Sequence, residues 1–308
     1  MRTYRRYCAP VGGWLRRRSV RLRGEARLAG NGQSVWIDLG LGVPEMAARV
    51  HRTVSPDGTP IAGEVVGEGP ALVLVHGGLG DGNPAMNLLL PFLSERFTCF
   101  LVSTRGRGES GDHPDHSRER HYEDIATFVD GIGEPVALFG HSSGATWSLG
   151  SAGRCRALTG VAVYEPALPV TRPVISDHDY ERFVAAVDAG RVAEAALIVV
   201  DAVVEPNDDE RAFIEAIAEL TGPVLPSAAK ELPELNRPVD LPALSGISVP
   251  LTLIEGSRTG DHFRQADRLV QQQVPHSRVI EVEGVGHLAP LTHPNAVADE
   301  LVNLFPSQ

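Results

Sequence analysis

Val136-Ala137-Leu138-Phe139-Gly140-His141-Ser142-Ser143-Gly144-Ala145-Thr146-Trp147 is the stretch around which the rest of the chain is arranged. Val136 to Phe139 has the length and apolar bulk of a buried strand, and the residues from Gly144 onward begin a helix. Between them lies a G-x-S-x-G pattern, the nucleophile elbow, in which a sharp strand-to-helix turn holds one serine hydroxyl clear of the sheet. Such a turn strains the serine backbone, and side chains two residues to either side would collide with it. The start of the helix behind Ser142 also points backbone N–H groups at any oxyanion formed there.

An acyl-transfer site needs a second oxyanion donor and a base. Upstream, the apolar run Ala71–Val75 leads into His76-Gly77-Gly78-Leu79-Gly80, a glycine-rich loop that can carry an N–H to the serine. Gly78 is the expected second donor beside the N–H of Ser143. The base is expected after the last strand, where Val282-Glu283-Gly284-Val285-Gly286-His287-Leu288-Ala289 places His287 in a tight loop ahead of an apolar pair. His76 and His141 sit beside motif positions instead, so His287 is the expected general base.

The 308 residues can hold one large domain of about 250 residues with an inserted segment. The hydrophobic fraction of 43% and charged fraction of 22% are ordinary for a globular chain. The net charge of −11 argues against a nucleic-acid or anionic-membrane partner. Residues 1–30 depart from this balance: nine arginines and one acid, Glu25, give +8, which leaves −19 on the remainder. Arg5-Arg6 and Arg16-Arg17-Arg18 are followed by no apolar core of an export signal, so the expectation for 1–48 is a basic, unstructured arm, with a short helix conceivable at 44–50. Cys8, Cys99 and Cys155 are odd in number and lack C-x-x-C spacing; with no run near the roughly 18 apolar residues of a membrane span, they point to a reducing, cytoplasmic setting.

Regular patterning starts at Arg49. Arg49–Val54, the turn Ser55-Pro56-Asp57-Gly58 and Ile61–Val66 read as a β-hairpin. Strands are predicted at Ala71–Val75, Phe97–Val102, Val136–Phe139, Leu158–Tyr164, Pro250–Ile254 and Arg278–Val282. Helices are predicted at Pro84–Arg96, His121–Ile132, His262–Val274 and Asn295–Phe305. This alternation implies an α/β fold with a mostly parallel sheet covered by helices on both faces. Residues 166–246 break the rhythm with helical stretches at Asp177–Ala189, Val192–Val204 and Asp208–Leu220. A tether with Pro223, Pro226, Pro233, Pro238 and Pro242 follows them. The domain reading is a core of 49–165 and 247–308 carrying 166–246 as a helical lid.

The chain resembles the α/β-hydrolase-fold enzymes from about residue 49 to 305. The likeness rests on His76-Gly77-Gly78, Arg105-Gly106-Arg107-Gly108-Glu109-Ser110, Gly140-His141-Ser142-Ser143-Gly144 and Gly286-His287, in that family's order and spacing. It implies an eight-stranded sheet, a nucleophile at Ser142, a base at His287 and oxyanion donors from Gly78 and Ser143. The Arg105–Ser110 turn corresponds to one that is structural more often than catalytic. Here it follows Ser103-Thr104, where the family commonly carries an aspartate. The usual position of the triad acid, three residues after Gly256, holds Thr259, which cannot carry the charge. The family's other location, the end of the strand after the elbow, holds Glu165, the favoured acid; Asp261 is the alternative and could equally cap a helix.

The implied reaction is hydrolysis of an ester, lactone or thioester of a small, apolar molecule through an acyl-enzyme. No cofactor or metal is implied, because Gly77–Gly82 lacks the Lys-[Ser/Thr] ending of a phosphate loop and no ligand-spaced cluster is present. A cofactor-free carbon–carbon hydrolase, a cyclase or a perhydrolase would use the same residues. An inactive binding module would have no need of them.

Overall fold

The computed structural model describes residues 23–27, 34–38, 49–204 and 206–306. Backbone contacts divide the chain into two units, Met1–Ala47 and Ala48–Gln308. In the first, strand β1 (Arg23–Arg27) pairs antiparallel with β2 (Ser34–Asp38), Arg23 standing opposite Asp38. The composition predicts an unstructured arm here, and these ten residues form a ladder instead. Val35-Trp36-Ile37 is a run of strong strand formers, and Asn31-Gly32 is a hairpin-turn signature, two signals masked by the arginine density. Of the helix conceivable at 44–50, residues 44–48 lie outside the described residues, and Arg49 and Val50 begin a strand.

The second unit is built on an eight-stranded sheet. Strands β3 (Arg49–Val54) and β4 (Pro60–Val66) form the expected hairpin, closed by Gly58 at φ +89. Then come β5 (Ala71–Val75), β6 (Thr98–Ser103), β7 (Val136–His141), β8 (Leu158–Tyr164), β9 (Leu251–Gly256) and β10 (Arg278–Val282). Across the sheet the order is β10-β9-β8-β7-β5-β6-β4-β3, and β4 alone runs against its neighbours. Every residue of β5 and β7 is buried, whereas β3 and β10 at the edges are largely solvent-facing. Continuous apolar runs therefore mark the central strands, which are covered on both faces.

Helices cover both faces of the sheet. The stretch predicted as one helix at Pro84–Arg96 is broken into α1 (Gly82–Met86), a 3₁₀ turn (Asn87–Leu89) and α2 (Leu90–Leu93). Pro91 has no N–H to continue the ladder, so the helix cannot run through. Helix α3 (Arg118–Gly131) starts three residues earlier than its apolar spacing predicts, and α4 (Ser143–Ala152) leaves the elbow.

Between β8 and β9 lie α5 (Asp177–Asp188), α6 (Val192–Val203), α7 (Asp208–Ile217) and α8 (Leu225–Leu235). Asn207 and Glu210 form a reciprocal capping box that starts α7. The proline-rich tether predicted after α7 is instead the well-formed α8. Pro226 falls in its first turn, where a missing N–H costs nothing. Pro233 sits in the last turns, and the carbonyl it leaves unbonded, that of Ala229, accepts a hydrogen bond from Tyr180 Oη at 2.8 Å. Helices α9 (Asp261–Gln273), α10 (Ala289–Thr292) and α11 (Pro294–Leu304) complete the unit. Among the described residues no helix is long and apolar enough to cross a membrane.

Candidate active site

The elbow turns where β7 meets α4. Ser142 adopts φ 56, a conformation that L-residues rarely take, and the flanking glycines explain how the turn fits. A Cβ on Gly140 would stand 2.4 Å from the Gly144 carbonyl oxygen, and one on Gly144 would stand 2.3 Å from that of His76. Neither contact is possible for a real side chain, so the sheet, the turn and the glycine-rich loop close on one another only with glycine at both positions.

His287 reaches this serine from the loop after β10. Its Nε2 lies 3.0 Å from Ser142 Oγ, and its Nδ1–H donates to Glu165 Oε2 at 2.7 Å. The loop is held from behind: Tyr164 Oη donates to the Gly286 carbonyl at 2.7 Å, His141 Nε2–H donates to that of His287 at 2.9 Å, and the Arg258 N–H donates to that of Val285. Phe263 of α9 stacks on the imidazole, centroids 4.2 Å apart and planes 12° from parallel. The ring can therefore neither turn nor tip away from the serine. His141, buried behind it, has its pKa pushed down to about 3 by burial and by the neighbouring His287. It stays neutral as a spacer.

Glu165 stands directly after β8 with φ 47, a second strained residue. Its side chain is fully buried, and Oε1 accepts the Gly256 N–H at 2.8 Å while Oε2 faces His287. The strained backbone swings the carboxylate toward the β10 loop, a direction that straight extension of β8 would not give. Asp261, the alternative acid, is the exposed first residue of α9, and no hydrogen bond joins it to His287 among the described residues. Thr259 is two residues nearer the strand, and its buried Oγ1 has no hydrogen-bond partner among the described residues.

The glycine-rich loop passes over the elbow as its composition predicts. A Cβ on Gly77 would stand 3.3 Å from Ser142 Cβ, and one on Gly78 would stand 3.6 Å from Ser143 Oγ. Gly78 and the first residue of α4 thus face each other beside Ser142. His76 donates from Nδ1–H to the Gly77 carbonyl at 2.9 Å and accepts the Thr104 N–H at Nε2. Burial and the nearby Arg107 guanidinium push its pKa down to about 4, so it remains neutral.

In the Arg105–Ser110 turn, Arg105 is fully buried. It donates through Nε and Nη2 to Asp124, each at 2.7 Å, and through Nη1 to Asp57 at 2.9 Å, which ties the turn to α3 and the hairpin. Sequence reasoning named Arg107 within its turn but missed Glu231 and the pairing of the two. Arg107 forms a buried ion pair with Glu231 of α8, and Glu231 Oε1 accepts the Trp147 indole N–H at 3.1 Å. The available signal was Glu231 itself, an acid on the same helix face as Leu225, Ala228, Leu232 and Leu235. Ala167, Leu168, Val203 and Phe263, together with Arg172 and His262, line a small cleft.

The model of the alpha/beta hydrolase family matches residues 72–300. Among solved structures, an alpha/beta hydrolase from Sphaerobacter thermophilus is 29% identical at a TM-score of 0.68, the match covering 83% of this chain and all of that one. A carboxylesterase from Bacillus subtilis (19% identity, TM-score 0.64, 84% of this chain and 92% of that one) has the same fold. So does an enol-lactonase from Burkholderia xenovorans (20% identity, TM-score 0.65, 82% and 98%). Among curated proteins there was no match.

Proposed function

Because the chain belongs to the alpha/beta hydrolase family, we propose that it is a serine-dependent hydrolase of an ester, lactone or thioester, working through an acyl-enzyme with Ser142, His287 and Glu165 as its triad. The observation that carries this reading is the unbroken hydrogen-bonded chain from Ser142 Oγ through His287 to Glu165, built on two strained residues at one edge of the sheet. The carboxylesterase and the enol-lactonase among the similar structures support an ester or lactone bond.

As Ser142 Oγ attacks the carbonyl carbon, its proton passes to His287 Nε2 and the carbonyl π electrons move to oxygen. The N–H groups of Gly78 and Ser143 receive that oxyanion. Glu165 holds the Nδ1–H tautomer and stabilises the imidazolium. When the tetrahedral adduct collapses, the bond to the leaving oxygen or sulfur breaks and His287 gives it the proton. Water, deprotonated by His287, then repeats the sequence on the acyl-enzyme and releases the acid. The inserted residues 166–246 act as a lid, with Val200, Val204 and Ile214 packed on Phe263 and Leu288 beside the base. The partner is a small molecule, and deletion of residues 1–30 is expected to leave turnover nearly unchanged.

Assay p-nitrophenyl esters of increasing acyl length together with simple lactones, and quench single turnovers for intact-mass measurement. The expected result is turnover of short acyl chains with a covalent acyl adduct on the protein. Turnover with no adduct at any time, or none on any acyl substrate, contradicts the proposal.

A further inference from the structure

Arg107 and Glu231 belong to different parts of the chain, the turn after β6 and the inserted helix α8, yet both are buried. Arg107 does more than neutralise the glutamate. Its Nη1 donates to the Gly80 carbonyl at 2.6 Å and reaches the Gly77 carbonyl at 3.4 Å, the two ends of the loop that carries Gly78. The same loop is closed by the Gly80 N–H on the Gly77 carbonyl at 2.9 Å. On its other side Glu231 holds the indole of Trp147, four residues beyond Ser143 on α4. One carboxylate therefore ties together both elements that supply oxyanion donors. Burial raises the carboxyl's pKa, but the Arg107 guanidinium beside it more than offsets this and holds it below its ordinary value. His121 lies flat on Trp147 at 4.5 Å, and burial pushes its own pKa down to about 3, so it adds no competing charge.

Resting on the acyl-hydrolase reading above, we propose that Arg107 and Glu231 are positioning residues that fix the Gly77–Gly80 loop against α4. Through them helix α8 of the insertion sets the geometry of the oxyanion site. Neither residue touches the reacting atoms. A purely structural pair would matter only through stability, whereas this pair acts on the transition state, in which the oxyanion exists, and leaves ground-state binding alone. Helix α8 has other anchors that do not reach the loop: Ser227 Oγ on the Gly106 carbonyl, Lys230 on Asp112, and Arg118 on the carbonyl of Glu234. The insertion can therefore stay in place when the pair is removed.

The test is the double variant Arg107→Met/Glu231→Gln, which leaves no buried charge unpaired and keeps an acceptor for Trp147. The comparison variant is Lys230→Ala, which cuts a different tie of α8. Measure kcat, KM, melting temperature and the affinity for phenylboronic acid, whose tetrahedral adduct on Ser142 mimics the oxyanion. Deleting an oxyanion donor outright costs about 10²–10³-fold, so a loosened loop is expected to lower kcat by about 10- to 100-fold at unchanged KM. Boronate affinity falls by the same factor, the melting temperature stays near wild type, and Lys230→Ala keeps full kcat. Arg107→Lys serves if the double variant does not fold: it keeps a cation for Glu231 but cannot span both loop carbonyls, and the same loss of kcat is expected. Unchanged kcat in the folded variant, a rise confined to KM, or an equal loss in Lys230→Ala overturns the proposal. A wild-type protein that neither turns over esters nor binds the boronate overturns the acyl-hydrolase reading itself, and this proposal with it.

Discussion

Two buried glutamates, one at the end of the sheet and one on the inserted helices, meet opposite kinds of partner. Glu165 accepts hydrogen bonds from a backbone N–H and from an imidazole, a group that gains and loses charge. Glu231 is matched to a guanidinium that is always charged and to a neutral indole. A carboxylate facing an imidazole can stabilise a charge that appears only during reaction. One facing a permanent cation has its charge already compensated, and what it contributes is geometry. The residue type is the same at both sites, and the neighbour decides between proton chemistry and positioning.

That contrast breaks most sharply at the proposed triad. Replacing Glu165 with Gln keeps the volume but presents an amide to His287, and loss of the correct tautomer lowers kcat by about 10⁴-fold. Asp261→Asn, at an exposed helix start, is expected to leave kcat unchanged. Steady-state kinetics on the two variants decide the matter, and the reverse pattern transfers the role to Asp261. The single variant Glu231→Gln should instead show its largest effect in stability. It strands the buried Arg107 charge, a change that costs about 3–5 kcal/mol. Urea unfolding reads this directly, and a loss below about 1 kcal/mol would mean that the pair is solvated.

A third buried acid sharpens the comparison because the charges that weigh most on it are other carboxylates. Both carboxyl oxygens of Asp267 on α9 are buried, and among the described residues no cation forms a salt bridge with them. Burial, then the nearby Glu255 and Glu165, raises its pKa well above the ordinary carboxyl value. The folded chain thus keeps a proton that the unfolded chain releases, so this group removes stability as pH rises above about 4. Asp267→Asn is expected to gain about 1 kcal/mol or more over wild type at pH 7, with the gain shrinking toward pH 4. Thermal melts at both pH values check this, and a gain independent of pH contradicts it.

The smallest effect belongs to the exposed anchor of α8. Partial burial raises the Asp112 pKa, but hydrogen bonds from Lys230 and His116 outweigh it and lower the pKa to about 2. Its contribution is present above the unfolded value of about 4 and is lost as pH falls toward 2. The pair is about half exposed, so Asp112→Asn should cost only about 0.2–1 kcal/mol at pH 7. That cost disappears in acid. A larger loss would show that this anchor carries α8.

The sequence made one of these glutamates visible and hid the other, for physical reasons. Glu165 stands at the end of an unmistakable apolar strand, and Thr259 at the usual acid position forces the search for a charge elsewhere. Ser142, His287 and Gly78 were legible because glycines at tight approaches leave a spacing that survives in one dimension. Helix α8 was not legible, since Pro226 and Pro233 read as breakers until their places in the first and last turns are known. Arg107 was named within its turn, but its partner lies 124 residues away, and no local pattern connects them. The hairpin of β1 and β2 and the break of the helix at Pro91 were lost in the same way, when composition or periodicity outweighed a single turn or proline signal.

The most direct measurement is the site and rate of labelling by a fluorophosphonate, with the modified peptide identified by mass spectrometry. The account predicts one adduct, on Ser142, absent in Ser142→Ala, formed far more slowly in Glu165→Gln and at the wild-type rate in Asp261→Asn. An adduct on Ser143 or Ser110, or full reactivity in Glu165→Gln, would contradict it.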